Sequence, residues 1–257
     1  MPVGLRLYGA APEPSSEERV VDSQDIEYQG DGLRLVGHLV LPDGTDKRPG
    51  VLVAHEGPGI DDIAKEKARR LAALGYVAFA LDYNGNGERL PDMAATMARL
   101  GPLMKEPLRI RALGQAGLDV LTAQARTDTS RLAAIGYCFG GTLSLELARG
   151  GADLKAVVGF HSGLATARPE DAKNIKARVL VCIGADDPLV PPQQRSAFEE
   201  EMRAGGVDWR MNLYGGAKHS FTNPNASAMG VPGIEYHEPT DRRSWSAMRE
   251  LFSETID

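Results

Sequence analysis

The chain is poor in several features that mark broad protein classes. It has two cysteines, Cys138 and Cys182, too few for a disulfide framework and without the paired spacing of a zinc site. They fall on different expected elements, so both read as free thiols in a reducing compartment. No apolar run approaches the roughly 20 residues that cross a bilayer, and no charged-then-apolar leader pattern opens the chain. A cytoplasmic protein with no membrane partner is expected. Basic blocks are missing and the net charge is −6, which argues against nucleic acid as a partner. Neither a His-Glu-x-x-His pair nor a phosphate-cradling glycine loop occurs, so no metal and no cofactor are expected. There is no internal repeat and no linker to a second domain.

What remains is the makeup of a large globular domain, 42% hydrophobic and 25% charged over 257 residues. Residues 1–20 carry Pro2, Pro12, Pro14 and a Ser-Ser-Glu-Glu run, and read as an extended or flexible arm. Residues 21–257 read as one domain in which strand-like and helix-like segments alternate. Segments 25–28 and 33–41 predict an antiparallel hairpin about Gly30-Asp31-Gly32; the partial alternation of 33–41 suggests an edge strand. Continuous apolar runs at 50–55, 76–81, 133–135, 156–160 and 179–183 predict strands covered on both faces, and 209–214 adds another. Helical patterns fill 60–74, 93–105, 108–125, 139–148, 193–204 and 242–252. The 93–105 stretch reads equally as a flap over the sheet edge or as a crossover helix. Residues 221–239, rich in Pro, Gly and Asn, predict an irregular excursion.

The fold class is therefore α/β: a mostly parallel sheet with helices on both faces and an N-terminal antiparallel hairpin. In such sheets ligands bind at the carboxyl ends of the strands. That puts Glu56-Gly57, Asp82, Cys138, His161, Asp186-Asp187 and His219 on one rim.

One stretch carries chemistry on its face. Gly136-Tyr137-Cys138-Phe139-Gly140 is Gly-x-Cys-x-Gly, the sharp strand-to-helix elbow that lifts a nucleophile off the sheet. Crowding in that turn gives Gly136 and Gly140 a steric reason to be glycine. A buried cysteine at a strand–helix junction is the bland alternative. A thiol attacks only as thiolate and needs a base or a positive field. Nucleophile, acid and histidine in that chain order form the triad of α/β-hydrolases. Here the order reads Cys138, Asp187, His219. Asp187 sits in a proline-stiffened turn, Asp186-Asp187-Pro188, suited to orienting an imidazole; Asp186 is its rival, and capping is the plain role for either. His219 follows the last strand and a pair of glycines. Cys182 lies within an apolar strand run and reads as a core thiol.

With these pieces together, the chain resembles the dienelactone hydrolase family of α/β-hydrolases from about residue 25 to 252. The carriers are Gly-Tyr-Cys-Phe-Gly-Gly at 136–141, Asp-Pro-Leu-Val-Pro at 187–191, Ala-Lys-His-Ser-Phe at 217–221, and Glu56 after the 51–55 strand. The resemblance implies an ester or lactone hydrolase working through an acyl-enzyme, with Cys138 as nucleophile, His219 as base and Asp187 as its orienter. It implies that Glu56 contacts the resting thiol and keeps it neutral. The elbow rule adds the N–H groups of Phe139 and Gly57 as the oxyanion hole. Members acting on dienelactones hold the substrate carboxylate with arginines near the Asp82 loop and just after the histidine. Here Tyr83, a displaced Arg89 and Asn223 stand in those regions, so they are the candidate substrate contacts, and an amide does not replace a guanidinium's charge. A small ester or lactone is the expected partner, with the chain a monomer or homodimer. Rival classes are a non-catalytic relative that binds a small ligand, a thioesterase, and a thiol redox protein using Cys138 and Cys182.

Overall fold

The computed structural model describes residues 22–257; the arm expected over 1–20 lies outside them. The hairpin forms as β1 (Asp22–Gly30) and β2 (Leu33–Leu41), paired antiparallel with Asp31 and Gly32 at the turn. Both turn residues have positive φ, the backbone such a tight reversal demands. Then follow β3 (Arg48–Ala54), α1 (Asp62–Ala73), β4 (Val77–Leu81), α2 (Met93–Leu103), α3 (Pro107–Thr122), β5 (Thr127–Tyr137) and α4 (Phe139–Arg149). The chain continues through β6 (Ala156–Phe160), β7 (Arg178–Gly184), α5 (Pro192–Gly205), β8 (Trp209–Tyr214) and α6 (Glu238–Thr255).

All the strands join one 8-stranded sheet in the order β1-β2-β4-β3-β5-β6-β7-β8. From β4 to β8 every neighbour is parallel. Alternation sorts the side chains. Leu52 joins a core with α3, α4 and α5, while Val51 and Val53 on the opposite face join α1 and α6. Helices therefore cover both faces, which explains why the central strands are apolar throughout.

Two expectations need correction. β2 is not an edge strand: β1 covers one side and β4 the other. Its alternation is partial because its second half, Gly37–Val40, is buried on both faces. α6 begins at Glu238, four residues before the expected 242, because Pro239 sits in its first turn, where its missing N–H costs nothing. Short 3-10 turns at Pro169–Asn174 and Ala226–Met229 were not expected. Among the described residues no helix is long and apolar enough to cross a membrane, and no cluster of side chains could hold a metal ion.

Candidate active site

β5 runs straight into α4 with one residue, Cys138, between them. That residue has φ 54° and ψ −123°, a strained backbone for a side chain larger than glycine. The surroundings enforce it. A Cβ on Gly136 would lie 2.1 Å from the Gly140 carbonyl oxygen, and one on Gly140 would lie 2.3 Å from the Ala54 oxygen. Cys138 N–H donates to the Phe160 carbonyl at 3.0 Å, and its own carbonyl accepts from Gly141 N–H at 3.0 Å. The thiol is left partly exposed. Phe139 opens α4, so its N–H is among those a helix start leaves unpaired, at the positive end of the dipole.

His219 and Asp187 come from the turns after β8 and β7, which are parallel neighbours. The two turns touch so closely that a Cβ on Gly184 would lie 2.3 Å from the Ala217 oxygen. His219 Nδ1 and Asp187 Oδ2 are 2.8 Å apart, both side chains buried. The other Asp187 oxygen accepts from Leu189 N–H at 2.8 Å, which fixes the carboxylate's rotation. Asp186 is exposed, so the rivalry between the two acids falls to Asp187. With Nδ1 committed, Nε2 is buried without a hydrogen-bond partner. Cys138 and His219 line the same cavity. Burial opposes a charged ring at His219, but the attraction of the Cys138 sulfur and the bond to Asp187 outweigh it and raise the pKa to about 10.

No hydrogen bond joins Glu56 to the thiol. Oε2 accepts from Asn223 Nδ2 at 2.7 Å and Oε1 has no hydrogen-bond partner. Burial raises the Glu56 pKa, against the pull of the Asn223 amide and the His219 charge. Asn223 thus serves Glu56 and does not line the Cys138 cavity. Tyr83 also misses that cavity. It is fully buried, stacks on His55 at 3.8 Å, and donates its hydroxyl to the His55 carbonyl at 2.8 Å. Asn84 Nδ2 donates to the Gly57 carbonyl at 2.9 Å. The two side chains tie down the loop that carries Gly57. Asp82 in turn organises the Tyr83 loop, accepting from Asn84, Gly85 and Gly87 N–H groups at 2.8 to 2.9 Å. Arg89 is exposed and opens into a separate cavity shared with Asp61, Asp62 and Asn223.

His161, placed on the rim by its strand, is wholly buried with φ 39°. Its Nε2 pairs with Thr222 Oγ1 at 2.8 Å and its ring meets His219 edge-on at 5.2 Å. Burial, and then the His219 charge, hold it well below the usual histidine range. It is a neutral support for its neighbour. His38, His55 and His237 likewise make local bonds, to Asp25, to the Glu56 carbonyl and to Thr240.

The cavity at Cys138 and His219 has a volume of about 680 Å³. α2 roofs it with Met97 and Leu100, α3 supplies Ile110, and the loop after β6 supplies Gly163 and Ala165. So α2 is both a crossover helix and a cover for the site.

This arrangement belongs to a known group. Residues 35–256 match the dienelactone hydrolase family. The chain belongs to that family. As a dienelactone hydrolase family member with the α/β-hydrolase fold, it is a hydrolase. A solved chain named m3DLH is 47% identical with a TM-score of 0.89, over 92% of this chain and 99% of that one. The dienelactone hydrolase-like promiscuous phosphotriesterase P91, from metagenomic libraries, is 42% identical with a TM-score of 0.88 over the same shares. Protein usf of Aquifex pyrophilus is 31% identical over 210 residues, 78% of this chain and 87% of its own.

Within this dienelactone hydrolase fold one group escaped the sequence reading. Arg149 is fully buried on α4 and donates to Glu201 at 2.7 and 2.9 Å, to Glu146 at 3.1 Å and to the Leu164 carbonyl at 3.0 Å. Arg111 adds bonds to Glu146 and Asp171 at 3.0 and 2.6 Å. The cluster ties α3, α4 and α5 to the loop that forms one wall of the cavity. Cys182 is buried in the opposite core and its strand is separated from β5 by β6. Strands two apart lie about 9–10 Å from each other, beyond disulfide reach, which removes the redox pairing.

Proposed function

We propose that the protein hydrolyses carboxylic esters or lactones through an acyl-enzyme on Cys138. The observation that carries this reading is the buried 2.8 Å contact of His219 with Asp187, with His219 and Cys138 lining one cavity. A thiol attacks only as thiolate, and the His219 imidazole shares the cavity with it as the base that can hold its proton. The thiolate adds to the carbonyl carbon, and the oxyanion is met by the N–H groups of Phe139 and Gly57. Collapse breaks the bond to the alcohol oxygen, and His219 Nε2–H gives its proton to that leaving group. Water then attacks the thioester. His219 takes the water proton, the acid departs, and the thiolate re-forms. Asp187 holds the ring in the tautomer that presents Nε2. Glu56 is engaged by Asn223 and made easier to protonate by burial.

The 42% identity to P91 favours a second electrophile at the same sulfur, a phosphotriester, attacked at phosphorus with loss of one alcohol, water then displacing the sulfur from phosphorus.

The test is turnover of p-nitrophenyl acetate by Cys138→Ala. Loss of activity with unchanged circular dichroism supports the reading. Retained turnover overturns it, and a folded but inert wild type that still binds apolar ligands would point to a non-catalytic binder.

A further inference from the structure

Resting on the proposed acyl transfer at Cys138, we infer that the substrate carries an uncharged, bulky apolar arm and no carboxylate. The cavity beside the sulfur, about 680 Å³, is within the range that encloses a drug-sized ligand. Its walls beyond the sulfur and imidazole are mainly apolar, and Met97, Met104 and Leu189 continue them outward. These last three are 50%, 50% and 55% exposed while also lining the cavity, so apolar lining is present at the rim as well as at the buried end. An arm longer than the cavity would lie across them. Methionines adapt to varied apolar shapes, which suits a range of such arms.

Charge gives the same answer. Among the described residues Lys105 is, apart from the His219 imidazole, the one cationic side chain lining this cavity, and it is exposed, where water already solvates it. The other buried ionisable group lining it is an acid: Glu146, whose oxygens are bound by Arg111 and Arg149 at 2.9 and 3.1 Å. A carboxylate entering here would lose its water and find no buried cation except the imidazole that Asp187 and the Cys138 sulfur already engage. Arg89, the cation that follows the Asp82 loop in sequence, opens elsewhere beside Asp61 and Asp62.

The experiment compares p-nitrophenyl acetate, butyrate and octanoate with p-nitrophenyl hydrogen suberate, which has the octanoyl length and ends in a carboxylate. kcat/KM should rise by about fourfold for each early methylene added, and the suberate ester should be at least 100-fold poorer than the octanoate. Met104→Arg should cut that ratio at least tenfold. Binding is read separately, by thermal shift of Cys138→Ala and wild type with octan-2-one and with 7-oxooctanoate. The ketone should stabilise both proteins and the keto acid neither. A flat chain-length series, or a keto acid that binds as well as the ketone, overturns the inference. Turnover surviving in Cys138→Ala overturns only the catalytic reading, since the ketone comparison does not depend on it.

Discussion

Asp187 Oδ2 stands 2.8 Å from His219 Nδ1, in a contact closed to solvent on both sides. An amide at 187 can present its NH₂ to the ring and reverse the tautomer, leaving the wrong nitrogen protonated. Asp187→Asn should therefore lower kcat on the order of 10⁴-fold with little change in KM. Asp186→Asn, on an exposed neighbour, should stay within twofold of wild type. Steady-state kinetics on one aryl ester checks both, and equal effects at the two positions would count against the assignment.

The His219 charge should be visible in stability. Its pKa is raised from 6.5 to about 10, with burial opposing and Cys138 and Asp187 prevailing. A raised histidine contributes stability that is complete below about 6.5 and disappears as pH climbs through about 10. The difference in unfolding free energy between wild type and His219→Asn should hold up to about pH 6.5, shrink steadily above it and level off by about pH 10. Urea titrations from pH 6 to 10.5 measure this; a gap that grows with pH has the wrong sign for a stabilised imidazolium.

Tyr83→Phe removes the hydroxyl that donates to the His55 carbonyl and leaves that buried acceptor short of a partner. The stability cost should be about 1–3 kcal/mol. The loop it steadies carries Gly57, so kcat should fall about tenfold through lost positioning. KM should move less than twofold, because Tyr83 does not line the cavity. A change confined to KM would instead make Tyr83 a substrate contact.

Arg149→Met strands the Glu201 carboxylate in the interior and leaves Glu146 to Arg111 alone. The loss should be about 3–5 kcal/mol, or on the order of 10 °C in melting temperature. Adding Glu201→Leu should recover part of it, since a matched apolar pair replaces the broken ion pair. Calorimetry of the single and double variants decides whether the network or its unpaired remnants set the stability.

The sheet and the meeting of Cys138, Asp187 and His219 were legible because they depend on order along the chain. Parallel strands with crossovers send their following turns to one edge, so three distant loops must converge there. Gly136 and Gly140 were legible too, since a tight turn has no room for Cβ. What eluded the sequence depends on side-chain direction. Nothing local says that Tyr83 turns inward onto His55, or that Asn223 turns to Glu56 instead of outward to a substrate. Arg149 was invisible for the same reason. A charged residue on an amphipathic helix usually faces water, and its burial follows from partners 52 residues away on α5 and near in sequence on its own helix.

The sulfur, the imidazole and the carboxylate each hang from a different strand of the rigid sheet, whereas the chamber above them is drawn largely by α2, the start of α3 and the 163–167 loop. The two sets of residues can therefore be inherited separately. A lineage can redraw its menu of substrates through drift in the roof while the machinery beneath stays as it was.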